Sequence, residues 1–179
     1  MSDLDDEYYA ALGRFVDLFA MAESATILAL WTAAGTDQDI ATAIFSGTRT
    51  KTAISWIKRI AESTETPLDP EIKETLEHLS RINEVRDRIV HWGTQDLDEN
   101  AKLVTNELRA HAERTLQEFR VSPEMLREMG DDLAIISVRL IVHYVGRADD
   151  CSKEEWEQTV ENARLPLSFA LPQPKKNSP

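Results

Sequence analysis

A chain of 179 residues with 42% hydrophobic residues, six Gly and seven Pro has the size and makeup of one globular domain, which excludes a fibrous or wholly disordered polypeptide. Twenty basic against 32 acidic residues leave a formal net charge of −12, which disfavours broad, non-specific contact with nucleic acid, because that affinity rests on Lys and Arg meeting phosphates. The lone cysteine, Cys151, excludes an internal disulfide and a thiolate zinc knuckle and points to a reducing compartment.

The start, Met1-Ser2-Asp3-Leu4-Asp5-Asp6-Glu7, is acidic where a signal or transit peptide is basic and then apolar, so the expected location is cytoplasmic. From Asp6 to Ala34, Leu12, Phe15, Phe19, Ala22 and Thr26 recur at three- and four-residue steps, with Val16, Ile27 and Leu30 on the adjoining stripe, which predicts a long core helix. Its most apolar part, Leu18 to Ala34, carries Glu23 and Ser24 near the middle, so a buried helix is expected and no membrane span. Gly35 stops it, Thr36 or Asp37 caps a short helix ending near Gly47, and Thr48 opens another through Trp56 to about Ala61.

Ser63 to Pro70 is a loop by composition, closing with Asp69 as N-cap and Pro70 in the first helical position. Ile72, Leu76, Leu79, Ile82, Val85, Ile89 and Trp92 then step by three and four to a stop at Gly93. Partial alternation in Lys102–Leu108 and Thr115–Val121 favours a small β-hairpin, while Glu107 to Glu118 reads equally as an extended helix. Ser122-Pro123-Glu124 opens the last core helix, through Leu133, Ile136, Leu140 and Val142 to Gly146. Residues 1–150 are thus expected to form a mostly α domain of four to five core helices. Residues 151–179 would supply a short helix around Trp156 and a flexible, proline-rich tail.

His78, His91, His111 and His143 show no metal-ligand spacing, and no Gly-rich phosphate loop or nucleophile elbow occurs, so neither metal nor cofactor is expected. What remains is a polar cluster ending the fourth helix. Asp87 and His91 are four apart, so on a helix the carboxylate is placed to orient the ring, and Arg86 stands one residue off that stripe. Loosening of the helix at Trp92-Gly93 would let the imidazole swing toward the guanidinium, so that both address one anion. Histidine can take a proton from a ribose 2′-hydroxyl or give one to a leaving oxygen, and arginine offers a planar fork to phosphate, which suits metal-free cleavage of RNA and not of DNA. With 13 Arg and four His, an Arg followed five positions later by His arises by chance roughly 0.3 times per chain, so bare spacing carries little. Cations near a helix C-terminus also have a purely structural reason to be there.

The run Arg86-Asp87-Arg88-Ile89-Val90-His91-Trp92-Gly93 resembles the motif of the HEPN superfamily: Arg, a polar residue, three more residues, then His and often Gly. Trp92 stands here between His91 and the glycine. The first helix, apolar with one acid from Phe15 through Glu23 to Leu30, is similar to the opening helix of many bacterial HEPN-like proteins, so the resemblance spans about Tyr8 to Arg147. It implies a HEPN-like helical bundle that pairs as a homodimer, joining two Arg-His pairs into one metal-independent ribonuclease site with RNA as substrate. Many members are toxins or antiviral defence proteins, with an antitoxin or regulatory protein as partner, and some have lost catalysis. On this basis Arg86, Asp87 and His91 are the candidate catalytic residues and Asn83 a candidate support. Glu23, four from both Phe19 and Ile27 and so close to the buried stripe, needs a partner or an edge position: it is either a further support that pairs with Arg86 or a boundary carboxylate pointing into water. The alternative is a non-catalytic HEPN-like dimer that binds a protein or nucleotide, which the acidity favours.

Trp31, Trp56, Trp92 and Trp156 are expected as core or interface anchors rather than a base-stacking platform. Arg49, Lys51, Lys58 and Arg59 make the only compact basic patch before the tail, read as a solvated helix face or a hold for an RNA backbone.

Overall fold

The structure, a computed structural model, describes residues 3–107, 116–148 and 151–169. Helices α1 (Asp3–Ala33), α2 (Gln38–Phe45), α3 (Thr50–Ser63) and α4 (Pro70–Trp92) are followed by strands β1 (Gln95–Asp98), β2 (Ala101–Thr105) and β3 (Glu118–Val121). Helix α5 (Pro123–Leu140) runs into a π-helical turn, Ile141–Val145, and α6 (Lys153–Ala163) comes last. The mostly α expectation holds, with one small antiparallel sheet in the order β1-β2-β3.

The helix boundaries follow local chemistry. Asp69 caps α4 by accepting from the Glu71 and Ile72 amides, with Pro70 at the first helical position, and Ser122 caps α5 through the Met125 amide. Gly93 ends α4 with φ of 76°, a left-handed conformation that a side chain would strain, while its N–H still bonds Ile89 O at 3.1 Å. The predicted stripe on α4 is the buried one: Ile72, Leu76, Leu79, Ile82, Val85 and Ile89 all lie in the core.

Helix α1 is the centre of the bundle. By length and composition it is the one described helix apolar enough to cross a membrane, and in this fold it buries Tyr8, Phe15, Phe19, Ala22, Ala29 and Leu30 against the other helices. Arg127 pairs with Glu7 and Arg14 with Asp131, so α1 and α5 run side by side in the same direction. Gly130 allows close approach there, since a Cβ would meet Leu18 Cδ1 at 3.1 Å. Helix α4 runs against them: His78 meets Asp132 while Thr75, a turn earlier, meets Arg139. Arg86 on α4 therefore lies beside the middle of α1, at Phe19, and the end of the helix lies nearer the start of α1, where Thr94 meets Tyr8.

Three expectations need correction. Val104 and Lys102 pair with Phe119 and Val121, so the hairpin is formed, but β1 adds a third strand that the sequence did not suggest. Its four residues are exposed and it is tied down by Lys102–Asp96 and Arg120–Asp98 pairs rather than by apolar alternation. Residues 108–115, with His111 and most of the segment that also read as a helix, lie outside the described residues, as do those beyond Phe169. Next, the last core helix does not continue regularly to Gly146, because its final turn is π-helical. Lastly, the segment assigned to the tail is anchored to α5 as far as Phe169, which joins the hydrophobic core.

Candidate functional site

Asn83, Arg86, Asp87 and His91 all lie in the last two and a half turns of α4, as read from the sequence. Arg86 Nη1 donates to Asp87 Oδ1 at 2.9 Å, and Asn83 Nδ2 donates to Asp87 Oδ2 at 3.4 Å. The Arg86 guanidinium lies over the ring of Phe19 on α1, 5.2 Å from its centroid. Asp87 therefore orients Arg86 and not His91, a correction to its expected role. The carboxylate turns to the charged fork beside it, where a charge-assisted hydrogen bond is available, rather than one turn onward.

His91 is exposed and makes no hydrogen bond or ion pair among the described residues. Helix α4 is unbroken through it, so the loosening that would swing the imidazole toward Arg86 is not seen. Five residues on a regular helix separate the two side chains by about 7.5 Å along the axis and about 140° around it. Within one chain they face different directions. The cavities of about 360, 490 and 820 Å³ are lined by other residues.

The expected Glu23–Arg86 pair is absent. Glu23 instead accepts from Thr50 Oγ at 2.7 Å, at the first residue of α3. Because Phe19 is one turn before Glu23 on α1, this bond still sits beside the Arg86 contact. Arg88, on another face of α4, covers Trp92 and Phe119 at 5.6 and 5.8 Å and ties the helix end to the sheet. Among the described residues no three His, Cys, Asp or Glu side chains converge as metal ligands.

A second polar cluster went unread in the sequence. His78 Nε2 lies 2.8 Å from Asp132 Oδ2, both buried. Asp132 also accepts from the backbone amides of Ser168 and Phe169, each at 2.8 Å. Two turns along the same face of α5, buried Arg139 donates to Ala163 O, Leu165 O and Thr75 Oγ at 2.7–3.0 Å and pairs with Glu71 at 3.2 Å. The signal was available: Asp132 and Arg139 are seven apart at the edge of the apolar stripe formed by Leu133, Ile136 and Leu140. This cluster clasps the C-terminal segment to the bundle. Lys102, also buried, bridges Asp5 and Asp96 at 2.6 Å each and fastens the sheet to α1.

Comparisons with family models, with curated proteins and with solved structures give no match to this chain.

Proposed function

We propose that the C-terminal end of α4 is the working part of a HEPN-type, metal-independent endoribonuclease acting in the cytoplasm as a homodimer. The observation that carries this is the state of the two side chains: Arg86 is half-buried and fixed by Asp87 and Phe19 with its Nε and Nη2 unused among the described residues, while His91 is exposed and unengaged. A guanidinium held in place with spare donors suits a phosphate, and a solvent-facing imidazole suits proton transfer.

Since the two diverge within one chain, the pair that meets a scissile phosphate combines two copies. Exposed apolar residues flank the Arg86–Phe19 contact, Val16 one turn away on α1 and Val90 one turn away on α4, and supply surface for a second copy to cover. One imidazole takes the 2′-hydroxyl proton as O2′ bonds to phosphorus. The P–O5′ bond breaks, and the imidazole of the other copy, protonated, returns a proton to O5′. Arg86 stabilises the charge on the non-bridging oxygens.

Incubation with single-stranded RNA in excess chelator is expected to give fragments ending in 2′,3′-cyclic phosphate. His91→Ala lowers the rate by roughly 10²–10⁴-fold. Cleavage persisting in that variant assigns it to another site or a contaminant.

One observation favours a second reading, a non-catalytic dimer that binds a protein or nucleotide: Asp87 is engaged by Arg86 and Asn83, which leaves His91 without an orienting carboxylate. Intact RNA together with a shifted monomer–dimer equilibrium in His91→Ala selects it.

A further inference from the structure

Helix α3 differs from the rest of the molecule in that its unpaired cations gather in one acid-free stretch. Elsewhere seven of twelve described cations stand beside carboxylates, Arg14, Lys102, Arg120 and Arg127 among them, and exposed unpaired ones such as Lys73, Arg81 and Arg164 are scattered. Arg49, Lys51 and Arg59 are exposed and have no ion pair or hydrogen bond among the described residues. They belong to a stretch, Ile40 to Ala61, with four basic residues and no acid, where the average density of 32 acids in 179 residues would place about four. Two of them also stand against local preference. Arg49 occupies the N-cap position without capping, Lys51 follows in the first turn, and cations are disfavoured at that positive helix end. In α2, α4, α5 and α6 the same position holds an Asp or Ser cap followed by an acid.

The position of this helix gives the patch its meaning. Thr50, between Arg49 and Lys51, bonds Glu23, one turn along α1 from the Phe19 ring that carries Arg86. The start of α3 thus lies about one helical turn along α1 from the Arg86 contact. About 12 Å further along α3, Arg59 stands at the rim of a cavity of about 360 Å³ lined by Leu30, Phe45, Trp56 and Ile60. The Phe45 and Trp56 rings lie 5.7 Å apart within it. Unpaired cations leading from a phosphate-binding arginine to an aromatic, apolar recess match single-stranded RNA, whose backbone is anionic and whose bases are flat and apolar-faced.

We infer that the exposed face of α3 is a docking track for single-stranded RNA: Arg49 and Lys51 hold phosphates next to Arg86, Arg59 holds one further along, and the Phe45–Trp56 recess takes a base. The choice of polyanion rests on the proposed ribonuclease reading. Of the carboxylates beside the track, Glu23 and Glu77 are engaged by Thr50 and Lys58, and Glu62, one turn past Arg59, marks its far end.

The test uses the full chain carrying His91→Ala, so that bound RNA is not cut, and a fluorescent 20-nucleotide oligo(U) followed by anisotropy from 50 to 200 mM salt. Adding R49Q/K51Q/R59Q is expected to weaken binding at least tenfold at 0.1 M salt and to lower the slope of log affinity against log salt by about 2, three lost phosphate contacts at about 0.7 each. Unchanged circular dichroism and thermal midpoint show that the fold is intact. Equal affinity and slope in the two proteins overturn the inference. So does unchanged oligo(U) binding with loss of oligoglutamate binding, which gives the face to an acidic protein segment. Binding through α3 without cleavage by the wild type leaves the track standing and removes the nuclease reading. Cleavage with a KM untouched by the triple substitution does the reverse, and a chain that neither binds nor cleaves removes both.

Discussion

Helix α4 carries two polar clusters built from the same residue types, and they are finished differently. Toward its N-terminal end, His78 and Thr75 meet Asp132 and Arg139 in the buried clasp, where each carboxylate oxygen and each guanidinium nitrogen has a partner. Toward its C-terminal end, Arg86 keeps unused donors and His91 keeps a bare ring. In the interior a lost hydrogen bond is not replaced by water, so a cluster survives there only when saturated, and a saturated cluster has nothing left to offer a ligand. At the surface water fills the vacant positions at little cost, and a substrate can displace it. Incomplete satisfaction, more than residue identity, marks the second cluster as the one available for chemistry.

Paired substitutions can break that comparison. Asp132→Ala strips a buried ring and two amides of their acceptor and is expected to destabilise the fold by about 3–5 kcal/mol in urea unfolding, whereas His91→Ala stays within about 0.5 kcal/mol. Similar losses from both would mean that His91 is structural after all. Arg139→Met leaves the Ala163 and Leu165 carbonyls unpaired, at about 2–3 kcal/mol, and limited proteolysis should then cut the C-terminal segment first.

The clasp also has a pH signature. Burial alone would raise the Asp132 pKa, but bonds from His78 and from the Ser168 and Phe169 amides outweigh it and hold the carboxyl below its ordinary value. A depressed carboxyl contributes stability above its unfolded pKa, about 4, and that contribution is lost as pH falls through the folded value. Unfolding free energy measured from pH 5 to 2 should therefore fall less steeply in Asp132→Asn than in the wild type.

Smaller effects sharpen the comparison at the other end of α4. Gly93→Ala, at φ of 76°, is expected to cost about 1–2 kcal/mol and to fray the turn bearing His91, seen as faster amide exchange there. Asp87→Asn removes a half-exposed pair worth less than about 1 kcal/mol, so its effect should appear in RNA affinity rather than in the melting temperature.

The helices were legible because their signals are local. Asp69-Pro70, Ser122-Pro123 and Gly93 act within one turn, and the α4 stripe needs only a period. Strand β1 was not legible, since Gln95-Asp96-Leu97-Asp98 has no strand pattern of its own and is held by Lys102 and Arg120. The site divides the same way. Spacing placed Asn83, Arg86, Asp87 and His91 on one helix end, but which neighbour Asp87 chooses is a matter of rotamers. Glu23 bonds Thr50 instead of Arg86 because a residue 27 positions onward arrives beside it, and no helical period encodes that.

The clasp has a further consequence for assembly. Arg139 bonds a carbonyl 24 residues onward, and Asp132 an amide 37 residues onward. While the ribosome is still adding those residues, Asp132 has only His78 and Arg139 only Thr75 and Glu71, so part of each buried group's bonding capacity is unfilled. Full satisfaction of the seam between α4 and α5 therefore waits on the emergence of residues 163–169, whose backbone supplies the remaining partners.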